Sequence, residues 1–404
     1  MRVVVTPRAC RGARAVAVVG AGHAGSACAI RLRELGVARV DVFDAGRVVG
    51  GRHASRSGAD GARWDHGASR VEMEATGGGG GGGGAGGGGG GGGGAWTRDA
   101  RGRGALDAWR GSRVRLDGAS GRRRVSEDGV EWTCARGGWD EVSAAWMRDA
   151  GARTRSSARV TAVARASDGT LDVRFVRGGG GGERVERGYD VVVLADKNLA
   201  RVGGVMEALD AEDVARAMRA VESAPALALM VTFNRAPEVS FVGAEVDNDP
   251  TLAWIANESS KPGRSPATRC WVAHATEAFA REKVTPEALA LRVGTPEHEA
   301  WLEQVADEMV ASFIRLVRLA EYEAPTATAP LEITYARAHR WGAAFPTSIA
   351  PGAEANGGFL RSSVPGAGVY AIGDYCAAPL GTVRAAVVSG LACADAIAGA
   401  RSRL

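Results

Sequence analysis

Three glycines and one carboxylate form the most specific chemical pattern in this chain. Val16-Ala-Val-Val-Gly20-Ala-Gly22-His-Ala-Gly25 runs from an apolar stretch into a glycine-spaced turn. Asp44 follows 19 residues after Gly25, closing Val40-Asp-Val-Phe-Asp44. Gly20 permits a tight turn, Gly22 lets backbone N–H groups approach a pyrophosphate, and Gly25 lets the next helix pack close to the strand. The pyrophosphate would rest on the helix N-terminus, where free N–H groups and the dipole favour anions. A carboxylate at 44 suits ribose hydroxyls and disfavours a 2′-phosphate. These residues predict a dinucleotide site of the NAD or FAD kind.

The elements around the turn agree with it. The following segment places Ala24, Cys28, Leu32 and Leu35 on one face and stops at Gly36, a suitable C′ residue. Strand patterns recur at 159–164, 171–176, 184–187, 191–195, 226–233, 270–274 and 370–372. Helices are predicted at 139–150, 211–221, 286–292, 296–321 and 381–399; in the fourth, Thr295 can cap, Pro296 suits N1, and Leu302, Val305, Met309, Phe313, Leu316 and Ala320 form one stripe. The pattern predicts an α/β chain: a Rossmann-like cofactor-binding domain interrupted by an α+β substrate domain with a mostly antiparallel sheet. The expected boundaries are a disordered leader over 1–14, the cofactor domain at 15–69, 155–200 and 345–404, an insertion loop at 70–95, and the substrate domain at 96–154 and 201–344. Residues 77–94 are glycine except for Ala85, which predicts a flexible loop, and Gly178–Gly182 joins two expected antiparallel strands.

Composition bounds the function. The 404 residues carry a net charge of only +4, so nothing points to nucleic acid. Of the 50 basic residues three are lysines, Lys197, Lys261 and Lys283, a bias that reads as genomic. No apolar run reaches the ~18 residues that span a bilayer. Six irregularly spaced cysteines argue for reduced thiols in an intracellular compartment, cytoplasmic or organellar, and against a zinc site.

Further segments choose between nicotinamide and flavin cofactors. Val48-Val-Gly50-Gly51-Arg52 offers a second backbone approach to phosphate, with Arg52 as a fixed fork for phosphate or flavin oxygens. Val369-Tyr-Ala-Ile-Gly373-Asp374 ends a short strand on a carboxylate able to hold ribityl hydroxyls. A helix beginning near Thr382, with Val383 in its first turn, would aim its N-terminus at the charge that develops on a reduced flavin.

Together with Asp65-His-Gly-Ala68, Trp254-Ile-Ala-Asn-Glu-Ser-Ser-Lys-Pro-Gly-Arg264, Trp271-Val-Ala-His274 and His339-Arg-Trp341, these motifs resemble the FAD-dependent amine oxidoreductases, and within them the renalase-like branch. The resemblance implies a two-domain flavoprotein with non-covalent FAD, its adenine near Asp44 and the strand carrying Val160, and its isoalloxazine at the domain interface. It implies a hydride donor of dihydronicotinamide type, such as a dihydronicotinamide dinucleotide, with oxygen as acceptor, in a monomer or weak dimer. The alternatives are an amine or polyamine oxidase, a desaturase-like flavoenzyme, and a non-catalytic FAD-binding protein. An aromatic amine cage is hard to build from five tyrosines.

The chain departs from the family pattern in three places: the insertion between Arg70 and Ala95 before Trp96-Thr-Arg-Asp99, Asp196-Lys197 after the 191–195 strand, and Arg384-Ala385 at the last helix. The expected cofactor set is Gly20, Gly22, Gly25, Asp44, Gly51, Arg52, Val160, Gly373, Asp374 and Val383. Trp341, His274 and Trp254 are the expected substrate-side residues. Trp271 competes between pocket and core, and His66 reads as a loop-shaping residue. Lys261 and Arg264 read either as attractors of an anionic substrate or as a solvated hairpin. Cys376 lies close enough in sequence to Asp374 to raise a covalent flavin link.

Overall fold

The computed structural model describes residues 13–74, 106–126, 130–178, 182–321 and 330–399. The expected leader up to residue 12, the long glycine tract and Trp96–Asp99 lie outside the described residues.

Five segments build the nucleotide sheet, four of them mainly apolar and the edge strand Arg153–Arg155 polar. Arg153–Arg155, Arg39–Phe43, Ala15–Val19, Val191–Leu194 and Val369–Ala371 lie side by side in that order and all parallel, with Leu360–Arg361 added antiparallel at the edge. Ala15–Val19 and Val191–Leu194 are buried along their whole length, as strands covered on both faces must be. The helices His23–Glu34 and Val383–Ala398 pack together on one face. Gly390 makes that contact possible, because a Cβ there would stand 2.3 Å from the Ala24 carbonyl oxygen. A three-stranded antiparallel sheet, Ala158–Arg165, Leu171–Arg177 and Arg184–Tyr189, closes a core with the other face.

The second sheet has seven strands. Its order is Ile333–Pro346, Ser223–Phe233, Cys270–Ala275, Leu252–Asn257, Gly243–Asp247, Arg113–Asp117 and Arg123–Val125. Every pairing is antiparallel except that of Gly243–Asp247 with Arg113–Asp117, so the expected mixed architecture is found. The Pro296–Glu321 helix covers one face, burying the predicted stripe against Leu229, Val231 and Ala273. His298 N–H donates to the Thr295 hydroxyl at 3.4 Å, as the capping argument requires. Side chains alternate along each strand, so the opposite face is left to look toward the nucleotide sheet. No helix among the described residues is long and apolar enough to cross a membrane.

Candidate active site

A single cavity of about 2440 Å³ runs from the glycine turn to the open face of the seven-stranded sheet. At its nucleotide end the chain exposes backbone. Gly20 takes φ 109° in the turn out of the first strand, and Gly51 takes φ 57° where a Cβ would sit 3.4 Å from the Gly22 Cα. Residues with side chains would narrow this cradle. The His23–Glu34 helix starts at Gly22 with no capping side chain and no acid in its first turn, so its first amides stay available to an anion. Asp44 accepts the Ala21 and Gly46 N–H groups, each at 2.7 Å, and burial pushes its carboxyl above the ordinary value against those two bonds. Val160 lines the same end. Gly25 does not line the cavity. A Cβ on it would approach the Gly20 carbonyl oxygen to 1.9 Å, which is the close-packing role assigned to the third glycine of the turn.

Farther along, Arg52 makes a two-pronged pair with Asp374, both contacts at 2.7 Å, and also donates to the Ala344 carbonyl. The sequence places each of these residues beside a cofactor; the structure adds that they brace one another across 322 positions. Ser389 accepts the Gly373 N–H at 3.1 Å, and Thr382 caps the last helix by accepting the Ala385 N–H at 3.1 Å. Val383 and Arg384 present this helix start to the cavity, and the Arg384 Nε is buried without a protein partner. Asp196 and Lys197 line the cavity beside Asp374. Cys376 lies outside the cavity lining, is fully buried, and has its thiol pushed up to about 12 by burial, so the idea of a flavin link at this residue gains no support from geometry.

The wall expected to face a substrate is made of rings. Trp341 stacks on His66 at 5.3 Å between centroids and donates its indole N–H to the His66 carbonyl at 3.2 Å. His339 meets both rings edge-on at 4.5 and 4.3 Å. Trp254 and His274 face each other as cross-strand partners. Burial pushes His66 and His274 down to about 4 and His339 to about 3, reinforced by nearby arginines, so all three rings are neutral near pH 7. Trp341, His274 and Trp254 are the residues the sequence points to, with His66 as a loop-shaping residue; His339, for which the sequence suggests no role, is delivered by the same strand two residues before Trp341. Trp271 points the other way, against Phe313 and the covering helix, and is core.

Lys261 and Arg264 require a correction. Neither is solvated and neither lines the cavity. Lys261 reaches Asp65 at 2.8 Å and Glu258 at 2.6 Å, and Arg264 reaches Asp65 at 2.7 Å and also pairs with Glu258. All four charged groups are almost wholly removed from solvent. Burial favours protonation of Asp65, but the two cations hold its carboxyl well below the ordinary range; Glu258, whose burial outweighs the same cations, is pushed upward. The Lys-Pro-Gly-Arg turn looks like a surface hairpin because the partner acid, Asp65, lies 196 residues away.

Residues 18–74 match the NAD(P)-binding Rossmann-like domain, and residues 90–398 match the flavin containing amine oxidoreductases. Two solved structures of putrescine oxidase, a double and a triple mutant redesigned at the cofactor site, superpose with a TM-score of 0.59. They are 15% and 14% identical, and the match covers 96% of this chain and 99% of theirs. At that identity the likeness concerns the fold.

Proposed function

Because this chain belongs to the family of flavin containing amine oxidoreductases, and is an FAD-dependent oxidoreductase, we propose that it oxidises a donor of dihydronicotinamide type, of the kind handled by the renalase-like branch, with oxygen as acceptor. FAD, when bound, supplies the chemistry: it takes a hydride from a carbon next to nitrogen and passes the two electrons on to oxygen. The chain's own groups position the two molecules and exclude water.

The residues fit the cofactor. We assign Gly20, Gly22 and Gly51 to the pyrophosphate cradle, Asp44 and Val160 to the adenosine end, and Arg52, Gly373, Asp374 and Val383 to the flavin end, with Gly25 holding helix to strand. Trp341, His274 and Trp254 stand on the donor side. This assignment places the cofactor near the nucleotide sheet and the donor under the seven-stranded sheet, which is the division into two domains expected above. A cavity of about 2440 Å³ is large for one ligand, since ordinary sites span roughly 300–1,000 Å³. It has room for FAD and a second molecule of nucleotide size.

The observation that carries the choice of donor is electrostatic. Each carboxylate on the cavity wall already has partners: Asp140 holds Arg63, Glu245 and Asp247 hold Arg115, Glu277 holds Arg281, Asp374 holds Arg52, and Asp44 and Asp196 accept amide N–H groups. The rings opposite are neutral, and Arg70 lies over Trp254 at 4.0 Å. Such a wall suits a planar neutral ring carrying phosphates better than an ammonium ion. The amine reading is the second one, because the solved structures of similar fold come from putrescine oxidase. Anaerobic stopped-flow reduction of the purified yellow enzyme tests the choice. Bleaching by dihydronicotinamide isomers and not by diamines is expected; bleaching by amines alone overturns the proposal.

A further inference from the structure

Sheet register puts five cavity residues in one row. His274 stands opposite Trp254, Trp254 opposite Glu245, Glu245 opposite Arg115, and Arg115 opposite Arg124. Residues opposite one another share a face of the sheet, and all five line the cavity. Neighbouring strands lie about 4.8 Å apart, so the row carries Arg124 about 14 Å from Trp254 along the wall. The character of the row changes over that distance. It begins in rings and ends in guanidinium groups.

The acids at the basic end are already engaged. Glu245 holds Arg115 at 2.5 Å and approaches Arg70 at 3.8 Å, and Asp247 holds Arg115 at 3.3 Å. Arg124 pairs with no carboxylate among the described residues, and its cross-strand neighbour is a second arginine. Like charges directly opposite each other are unfavourable in a sheet. Arg124 is exposed and opens on the cavity, so its uncompensated charge is accessible to a ligand. A guanidinium presents a planar fork that matches phosphate oxygens.

We infer that Arg124, backed by Arg115, is the phosphate-binding end of the donor site, and that it holds the phosphate-bearing tail of a donor whose reactive ring lies against His274 and Trp254. The tail runs along the row from the rings to the free guanidinium. The inference rests on the proposed donor class and adds a requirement to it, that the donor carry phosphate beyond its ring. A donor without phosphate leaves Arg124 facing Arg115 uncompensated. A diamine lying along the row would bring its far ammonium to a cation.

The experiment uses the holoenzyme with its flavin site filled, so that an added nucleotide binds only outside that site. ADP-ribose, which carries a pyrophosphate and no nicotinamide, is titrated calorimetrically into wild type, Arg124→Gln and Arg216→Gln. The last removes the same charge from an exposed helix position away from the cavity. Wild type and Arg216→Gln should bind ADP-ribose alike, and Arg124→Gln should weaken binding about tenfold, the scale of one charge-assisted hydrogen bond. In stopped-flow flavin reduction, Arg124→Gln should raise Kd for a dihydronicotinamide dinucleotide by the same factor and leave its limiting rate unchanged. It should not affect 1-methyl-dihydronicotinamide, which has no phosphate. ADP-ribose that fails to bind the holoenzyme, binding that Arg124→Gln does not weaken or that Arg216→Gln weakens as much, or equal weakening of both donors overturns the phosphate site. If no dihydronicotinamide reduces the flavin, the donor class itself falls, and the ADP-ribose titration still decides whether the anion site exists.

Discussion

Replacing Lys261 with methionine should be among the most damaging single changes away from the cavity, and its effect should depend on pH in a defined sense. The substitution keeps a side chain of similar length but removes the ammonium, which also lies over the Trp109 ring at 4.9 Å, and so takes one of two cations from a sealed cluster. Asp65 and Glu258 would then share Arg264 alone. Breaking a buried ion pair by removing one partner destabilises by about 3–5 kcal/mol, because the other charge stays buried. The variant can relieve this by binding a proton on Glu258, which burial already pushes above the value of 4.5 for a free carboxyl. A folded-state pKa raised above the unfolded one contributes stability at low pH that is lost as pH rises. Each pH unit between the two pKa values therefore adds up to about 1.4 kcal/mol to the deficit. The loss in unfolding midpoint relative to wild type should be smaller at pH 5 than at pH 8. The double variant Asp65→Asn/Lys261→Met, which retains the neutral Glu258–Arg264 pair, should recover part of the loss and give a non-additive cycle. A deficit equal at both pH values, or strict additivity, would refute the account of the cluster as a mutually dependent set of charges.

The rings near the cavity make a second pH prediction. His23, His66 and His274 are held down at about 4 and His339 at about 3, in each case first by burial. Their unfolded value of 6.5 is higher, so the unfolded chain binds protons first and stability falls as pH drops from 6.5 toward 4. At pH 5 each ring withdraws about 2 kcal/mol, and the sum for four is comparable with the whole stability of an ordinary domain. The thermal midpoint should be level above about pH 7 and fall steeply below pH 6; a level profile down to pH 5 would contradict the neutral assignment. Gly25→Ala should abolish cofactor retention, since its Cβ meets the Gly20 carbonyl oxygen at 1.9 Å and neither backbone segment is free to yield. Gly36→Ala, in open space at φ 85°, should cost about 1–2 kcal/mol and leave the flavin in place; the visible flavin absorbance of the purified proteins distinguishes the two.

Much of the nucleotide end was readable in the sequence because its parts are close together along the chain. Gly20, Gly22, Asp44, Gly51 and Arg52 fall within one strand–helix–strand unit and the turn that follows it, where backbone conformation and spacing are set by local rules. The helix over 296–321 was readable for a similar reason: its cap, its N1 proline and its stripe all lie in one segment. The pair of Arg52 with Asp374 was half readable. Both residues were singled out, but no local rule says that two cofactor-side groups will also hold each other.

The donor end was harder for a physical reason that the long strand Ile333–Pro346 makes plain. A strand with one face in a core and one in water shows clean alternation of apolar and polar residues. This strand reads Ile-Thr-Tyr-Ala-Arg-Ala-His-Arg-Trp-Gly-Ala-Ala-Phe-Pro and is mostly half-buried on both faces. One face lines a polar cavity, so the alternation that would announce a strand is weakened by the residues that give the cavity its character. Arg113–Asp117 and Gly243–Asp247 line the same cavity and were passed over as well. The chemistry of the wall thus hides the element that carries it. His66, Trp254, His274 and Trp341 become one surface only through sheet register and a loop anchored by charges 196 residues apart. A substitution that loosens that anchor should therefore reach the donor wall before it reaches the glycine cradle, because the cradle is held by its own backbone and the wall is held by the fold.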